Sequence, residues 1–460
     1  MQNKTVCVMG LGFVGSAMSI AIAAANDSNN KPIYKVIGLD LPTKEGLYRI
    51  NSIKKNQFPF KTEDKKINSY LKKIKLNKNL DATYDPEILQ KADIIVVDIH
   101  LDVSFTTSIP KINLKPFMAA IKLIGQKAKK NSLIIVETTV PPGTCKNIIY
   151  PCLLDEFKRR NIDTKLLNLA HSYERVMPGK NYLSSITNFW RVYSGVNKKS
   201  ADMCKKFLDT IINTKDYPLK KLDSTTASEI AKVLENTYRA VNIAFIDEWT
   251  KFSEKVHVDL FEILDAIRMR PTHNNIRFPG LGVGGYCLTK DPKFTPAASK
   301  LFFNLNSKFP FSNLAVKINN EMPLHVIDVI KENYSKNLKK TKILILGASY
   351  REDVGDSRYS PSMILLSSLK KLGADISYHD PYVDFWEEAQ SYSIESISNL
   401  KIYDIVIFTV AHRQYRNSPL LKLKKNSLLV DANNVLTKAQ RNKYISNGIN
   451  IFSVGRGKGL

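Results

Sequence analysis

One stretch of this 460-residue sequence is better equipped for covalent chemistry than any other. It reads Pro279-Gly280-Leu281-Gly282-Val283-Gly284-Gly285-Tyr286-Cys287-Leu288-Thr289-Lys290-Asp291. Four glycines in six positions expose backbone N–H groups and leave room for a ligand, and a thiol, an ammonium and a carboxylate follow. Nearby positive charge favours the thiolate, the reactive form of cysteine. Cys287 is therefore a candidate nucleophile, the plainer reading being an incidental cysteine in a loop. A second candidate lies at the other end of the chain. Gly10-Leu11-Gly12-Phe13-Val14-Gly15 follows an apolar β-rich run and opens an Ala-rich helix. Glycines there permit a tight turn and let a pyrophosphate approach the helix N-terminus. Asp40 ends the next strand, 25 residues after Gly15, placed to accept from ribose hydroxyls. An acid at that point favours NAD over NADP.

Three weaker signals stand between them. Ser172-Tyr173-Glu174-Arg175-Val176-Met177-Pro178-Gly179 places a carboxylate in a loop, where a glutamate is ordinarily solvated surface. Lys232 and Asn236 lie one turn apart on a helix and point the same way. Thr138-Thr139-Val140-Pro141-Pro142-Gly143-Thr144 follows a buried strand, and strand ends of that kind present ligand contacts.

The elements that must hold these groups follow from the apolar pattern. Short β-rich runs alternate with helical stretches, the mark of a parallel sheet covered on both faces. The runs are Thr5–Met9, Lys35–Leu39, Ile94–Val97 and Leu133–Val136, then Lys342–Leu346, Asp375–Tyr378, Ile405–Thr409 and Ser427–Val430. Between the two sets, Ser224 to Arg268 reads as one long helix without Pro or Gly. The fold expected is α/β, with two Rossmann-like doubly wound domains joined by a long central helix region. Residues 1–212 would be the NAD-binding domain, 213–320 the central region for dimerisation and the cysteine, and 321–460 the second Rossmann-like domain.

Hydrophobic residues make up 43% and charged residues 24%, enough to bury real cores. No apolar run approaches the roughly 20 residues that cross a bilayer, and the N-terminus enters a strand rather than a secretory leader. A cytoplasmic protein with no membrane partner is expected. Five cysteines without a close pair suggest neither a metal site nor a disulfide framework. The net charge of +25 owes much to lysine, with nine between Lys54 and Lys78. It reads as solvated helical surface, or as attraction for anionic substrates. Without an accompanying nucleic-acid module, no nucleic-acid partner is expected.

Taken together and in order, the Gly-rich start, the TTVPPGT turn, the YERVMPG loop, the Lys232/Asn236 helix and the GVGGYCLTKDP segment resemble the UDP-glucose/GDP-mannose dehydrogenases. Leu346-Gly347-Ala348-Ser349-Tyr350-Arg351, Asp356-Ser357-Arg358-Tyr359-Ser360-Pro361 and His379-Asp380-Pro381-Tyr382 look like that family's nucleotide-diphosphate-binding domain. The resemblance implies NAD-dependent oxidation of a sugar CH₂OH to a carboxylate. Cys287 matches the nucleophile that traps the aldehyde as a thiohemiacetal, which a second oxidation turns into a thioester. Glu174 matches the general acid/base of hydrolysis. Lys232, helped by Asn236, would stabilise the oxyanion, while Asp291 and Thr139 organise water and proton transfer. Gly10, Gly12, Phe13, Val14, Gly15 and Asp40, with Thr138, Thr139, Lys290 and Arg358, match cofactor contacts. For the UDP-sugar, the matching positions are Glu174, Arg175, Lys232, Asn236, Arg277, Phe278, Gly280, Gly282, Gly284, Tyr350 and Arg351. A homodimer or higher homo-oligomer is implied by analogy.

Some positions depart from the family. Arg351 stands where lysine is usual, His273 where an arginine is expected (Arg270 and Arg277 being substitutes), and Asp431-Ala432-Asn433-Asn434 lacks a frequent substrate-binding arginine. Asp98-Ile99-His100-Leu101-Asp102 replaces the common threonine-proline form. The ERVMPG and PGxGVGG forms look more like UDP-N-acetylhexosamine than UDP-glucose dehydrogenases. That points to a UDP-ManNAc or UDP-GlcNAc 6-dehydrogenase serving surface polysaccharide synthesis, with UDP-glucose as the alternative. Readings of other kinds are a single-oxidation hydroxyacid dehydrogenase, which needs neither Cys287 nor the last 120 or so residues, a silent nucleotide-sugar binder, and a basic interaction protein.

Overall fold

The computed structural model describes residues 4–104 and 111–458. The chain forms two compact units, one of residues 1–235 with 293–308, the other of residues 236–292 with 309–460.

The first unit is built on eight strands: β1 (Lys4–Met9), β2 (Tyr34–Leu39), β3 (Leu80–Thr83), β4 (Ile94–Val97), β5 (Leu133–Val136), β6 (Asn168–His171), β7 (Val192–Gly195) and β8 (Lys220–Lys221). Their order across the sheet is β8-β7-β6-β5-β4-β1-β2-β3. Neighbours from β3 to β6 all pair parallel, and only β6 against β7 is antiparallel. The central strands β4, Ile-Ile-Val-Val, and β5, Leu-Ile-Ile-Val, are buried along their whole length, as strands covered on both faces must be. Parallel pairing brings the carboxyl ends of β1, β2, β4, β5 and β6 to one edge. Gly10, Asp40, Asp98, Thr138 and Glu174 all follow those ends, and helix α1 (Phe13–Ala23) opens beside them.

Helix α2 (Thr225–Lys255) belongs to the first unit up to Glu235 and to the second from Asn236. The single helix expected to Arg268 is broken. His257 takes a left-handed conformation (φ 57°), and Asp259 caps a new helix, Leu260–Arg268, by accepting from Phe261 N at 2.9 Å. Neither residue is a strong breaker, so the sequence alone reads through them.

In the second unit the sheet contains β9 (Lys342–Leu346), β10 (Asp375–His379), β11 (Ile405–Phe408), β12 (Leu428–Asp431), β13 (Asn450–Ser453) and β14 (Gly457–Lys458). The order is β10-β9-β11-β12-β13-β14, parallel except for the last pair. Alternation along the strands sorts the core: Ile343, Ile405, Ile407 and Val430 meet one helical layer, while Leu344, Leu346, Val406 and Phe408 meet the other side. Each such side chain contributes roughly 1.5–3 kcal/mol on burial. The short helix α3 (Tyr286–Lys290) carries Cys287, and α4 (Pro361–Lys371) follows β9.

All eight strand runs read from the sequence are strands here. Strands β3, β6, β7, β8, β13 and β14 gave no comparable signal. In β6 the reason is visible: Asn168 and His171 are buried, Asn168 Nδ2 donating to Leu166 O at 3.2 Å and His171 Nδ1 pairing with Ser228 Oγ at 2.7 Å. Their polarity hides an interior strand.

Candidate active site

Each unit contributes a group of candidate residues. In the first, the Gly10 backbone has φ 99°, and a Cβ there would lie 2.7 Å from Asp98 O. A Cβ on Gly15 would fall 1.8 Å from Gly10 O, so the turn closes only with glycine at both places. Above Gly12 nothing lies within 4 Å, and α1 starts there with no side chain capping its N–H groups. Open space beside uncapped amides fits a pyrophosphate. Phe13 stacks on Phe60, ring centroids 4.0 Å apart, which fixes the first turn of α1. Val14 follows in the same turn. Asp40 Oδ2 accepts from Leu11 N at 3.2 Å and from Arg49 Nε at 2.8 Å. A carboxylate accepts about four hydrogen bonds, so capacity for ribose hydroxyls remains. These residues fit a dinucleotide.

Thr138 is turned back into the scaffold, donating from Oγ1 to Ile99 O at 2.8 Å, and Thr139 beside it is buried. Glu174 is buried at the end of β6, where Oε2 accepts from Val176 N. Lys232 Nζ donates to Glu174 O at 2.8 Å and lies 3.7 Å from Glu174 Oε1, over the Tyr173 ring. Carboxylate and ammonium are thus held side by side. Arg175, expected at the substrate, pairs with Glu235 at 3.0 Å within this unit.

Supporting residues that the sequence reading gave no role also appear here. Buried Arg191 pairs with Glu137 and donates from Nη2 to Ser172 O at 3.1 Å, tying the end of β5 to the end of β6. Burial pushes its pKa down to about 10, against the pull of Asp98. Asp98 is itself held well above the usual carboxylate range, by burial first and then by the charge of Glu174. Glu229 Oε2 and Oε1 accept from Gly143 N at 2.6 Å and Cys145 N at 2.8 Å, fastening α2 to the TTVPPGT turn. Its place three residues before Lys232, on the same face of a helix, was the signal available. For Arg191 the sequence holds no such signal.

In the second unit, Asn236 Nδ2 donates to Asp291 Oδ2 at 2.7 Å, and Lys290 Nζ lies 2.6 Å from Asp291 Oδ1. All three are buried, so this ion pair and amide form a fixed network rather than a solvated face. The ammonium expected to bias the thiol is therefore matched by a carboxylate beside it. Cys287 is exposed, whereas Cys7, Cys145 and Cys204 are buried; burial alone pushes Cys7 up to about 12, as it does Cys204 against the pull of Arg191. Arg358 is a cation whose field reaches Cys287. Burial opposes its charge, but bonds to Asp356 at 2.9 and 2.8 Å, with Tyr350 and the Cys287 thiolate, hold its pKa above the ordinary value.

The glycines before Cys287 leave room, but protein takes it. A Cβ on Gly280 would lie 2.9 Å from Asn433 Oδ1, on Gly282 3.2 Å from Pro361 Cβ, and on Gly284 2.7 Å from both Tyr350 Cβ and Pro361 Cδ. Their side-chain space is occupied by the second sheet's own loops, and their backbone amides are what remains for a ligand. Phe278 stacks on Phe261 at 5.6 Å under the Arg268 guanidinium. Arg277 is half-buried with no partner for Nε, and burial, followed by the charge of Arg239, lowers its pKa. An arginine so placed is available to an anion. Arg351 is exposed beside Tyr350. Among the described residues no cluster of His, Cys, Asp or Glu could hold a metal, and no helix is long and apolar enough to cross a membrane.

Residues 4–212, 226–321 and 344–438 match, in turn, the NAD binding, central and UDP binding domains of the UDP-glucose/GDP-mannose dehydrogenase family. UDP-N-acetyl-D-mannosamine dehydrogenase of Methanocaldococcus jannaschii is 30% identical, over 99% of this chain and 97% of its own. The enzyme of the same name from Methanococcus maripaludis is 32% identical over the same shares. In fold, a UDP-glucose dehydrogenase structure from Pyrobaculum islandicum aligns with a TM-score of 0.81 at 18% identity, covering 99% of this chain and 98% of that one.

Proposed function

The chain belongs to the UDP-glucose/GDP-mannose dehydrogenase family as an NAD-dependent UDP-sugar dehydrogenase, and we propose that it oxidises a UDP-N-acetylhexosamine at C6 to the uronic acid. Full-length similarity to enzymes named for UDP-N-acetyl-D-mannosamine carries the choice of sugar, and the ERVMPG and PGxGVGG forms agree with it. The product serves surface polysaccharide synthesis, in the cytoplasm, from a homodimer.

The Gly10–Gly15 turn and Asp40 would hold NAD⁺, which would supply the hydride acceptor for both oxidations, alcohol to aldehyde and thiohemiacetal to thioester. Cys287 Sγ forms a bond to C6 of the aldehyde, whose oxygen becomes an oxyanion that Lys232 is assigned to stabilise before it is protonated. Once C6 is at the thioester level, Glu174 takes a proton from water. The resulting hydroxide adds to C6, the C–S bond breaks, and Cys287 departs as a thiolate, with Arg358 as a neighbouring cation. Thr139, with the buried Asn236–Asp291 pair, orders water and proton positions. Arg175, Arg277, Phe278 and Arg351 bind the nucleotide sugar.

NADH release measured across UDP-ManNAc, UDP-GlcNAc, UDP-GalNAc, UDP-Glc and GDP-Man tests this reading. A UDP-N-acetylhexosamine should be the best substrate. A clear preference for UDP-Glc would replace the sugar, and turnover of none would remove the activity.

A further inference from the structure

The room beside Gly284 and Gly285 is filled chiefly by one side chain. A Cβ on Gly285 would meet the Tyr350 ring at 2.8, 2.9 and 3.0 Å, and one on Gly284 would meet Tyr350 Cβ at 2.7 Å and Tyr359 O at 2.9 Å. Gly285 has φ 81°, and the chain turns there into α3, two residues before Cys287. The entry to the cysteine helix therefore rests face-on against an aromatic ring, at a separation only a glycine allows.

That ring is itself rigidly held. Tyr350 N donates to Asp356 O at 2.9 Å. Ala348 N and Ser349 N donate to Asp380 Oδ2 at 2.8 and 2.9 Å. His412 Nδ1 accepts from Asp353 N at 2.9 Å, so Nε2 carries the hydrogen and donates to Asp380 Oδ2 at 3.1 Å. Both His412 and Asp380 are buried. Loop 348–353 is thereby locked to the carboxyl ends of β9, β10 and β11, with Tyr350 presented from it as a fixed surface. Burial, with the charges of Asp356 and Cys287, pushes the Tyr350 phenol up to about 12, so it stays neutral and serves as packing rather than as a base.

We propose that Tyr350 is a positioning residue for the Cys287 nucleophile, its ring setting where the Gly284-Gly285 turn places the thiol. This rests on Cys287 as the nucleophile, and it gives Tyr350 a role other than the nucleotide contact that family resemblance implies. The ring, not the hydroxyl, is what matters, so Phe should replace Tyr where Ala cannot.

The test reads the thiol directly. Alkylation of Cys287 by iodoacetamide is timed in Y350A, Y350L, Y350F and G285A, with C287S subtracting the other cysteines. UDP affinity is measured by calorimetry, and kcat and KM on the preferred sugar nucleotide. Y350A and G285A should change the alkylation rate at least about five-fold and lower kcat at least about ten-fold, with KM and the UDP Kd within about three-fold. Y350F should recover most of what Y350A loses. If Y350A does not fold, Y350L and G285A carry the same expectation. Alkylation and kcat within about two-fold of wild type in these variants would overturn the proposal. So would a ten-fold or so loss of UDP affinity with alkylation unchanged, which is the mark of a nucleotide contact. Alkylation needs no turnover, so it separates this role from the nucleophile itself: acid production by C287S would defeat the latter alone.

Discussion

Lys232 is fixed before any substrate arrives: its Nζ donates to Glu174 O at 2.8 Å, and the Tyr173 ring lies beneath it. An ammonium held in place costs little to reorganise when an oxyanion forms next to it, and such preorganised charge contributes about 3–4 kcal/mol in comparable sites. Lys232→Ala should therefore lower kcat by about 10²–10³-fold with a much smaller change in KM, read from steady-state NADH formation. A pure KM effect would assign Lys232 to binding. At this scale the glycine requirement of the Gly10–Gly15 turn was legible from residue type and position, and Cys287 is exposed, whereas Glu174 was given a role only through the family resemblance. The sequence was misleading over Lys290, whose charge is matched by Asp291, and over the glycines, whose space is taken by Tyr350 and Pro361. Both depend on partners brought from distant sequence, which no spacing rule reveals.

Elements are joined by buried charge as much as by apolar packing. Glu229 holds α2 to the TTVPPGT turn, and burial pushes its pKa from 4.5 to about 7 against the pull of Cys145 and Gly143. A carboxyl raised in the folded state keeps its proton through the window from about 4.5 to about 7, where the unfolded chain has lost it. The stability this gives is complete below that window and is lost as pH rises through it, a change of about 3 kcal/mol from the shift alone. Glu229→Gln cannot titrate. Between about pH 5 and pH 8, wild type should lose several degrees more of Tm than E229Q, as scanning calorimetry would read. Equal slopes would show that Glu229 ionises normally. Strands were legible where they are wholly apolar, as in β4 and β5. The break at His257 was not, because a left-handed histidine and an Asp259 cap are residue types that helices also hold, and the polar strand β6 was not, because its buried polar groups meet partners from distant sequence.

For the whole molecule, the surface of α2 is the feature without an internal explanation. Phe245, Trp249 and Phe252 are about half exposed and form a ladder of edge-on rings, centroids 6.4 and 6.1 Å apart. Aromatic side chains dominate the buried centres of protein interfaces. With the homodimer proposed, they become its contact, and Phe245→Glu with Trp249→Glu should halve the mass seen by light scattering. A wild-type monomer, or a double variant that stays dimeric, would contradict that. Beyond the dimer, the activity proposed for one chain is two oxidations at one carbon through Cys287. Its most direct measurement is NADH formed per limiting UDP-N-acetylhexosamine, with the product identified. Two NADH per sugar with the uronic acid as product, and no acid from Cys287→Ser, is the expected result. One NADH per sugar ending at the aldehyde, or undiminished acid from the serine variant, would contradict it.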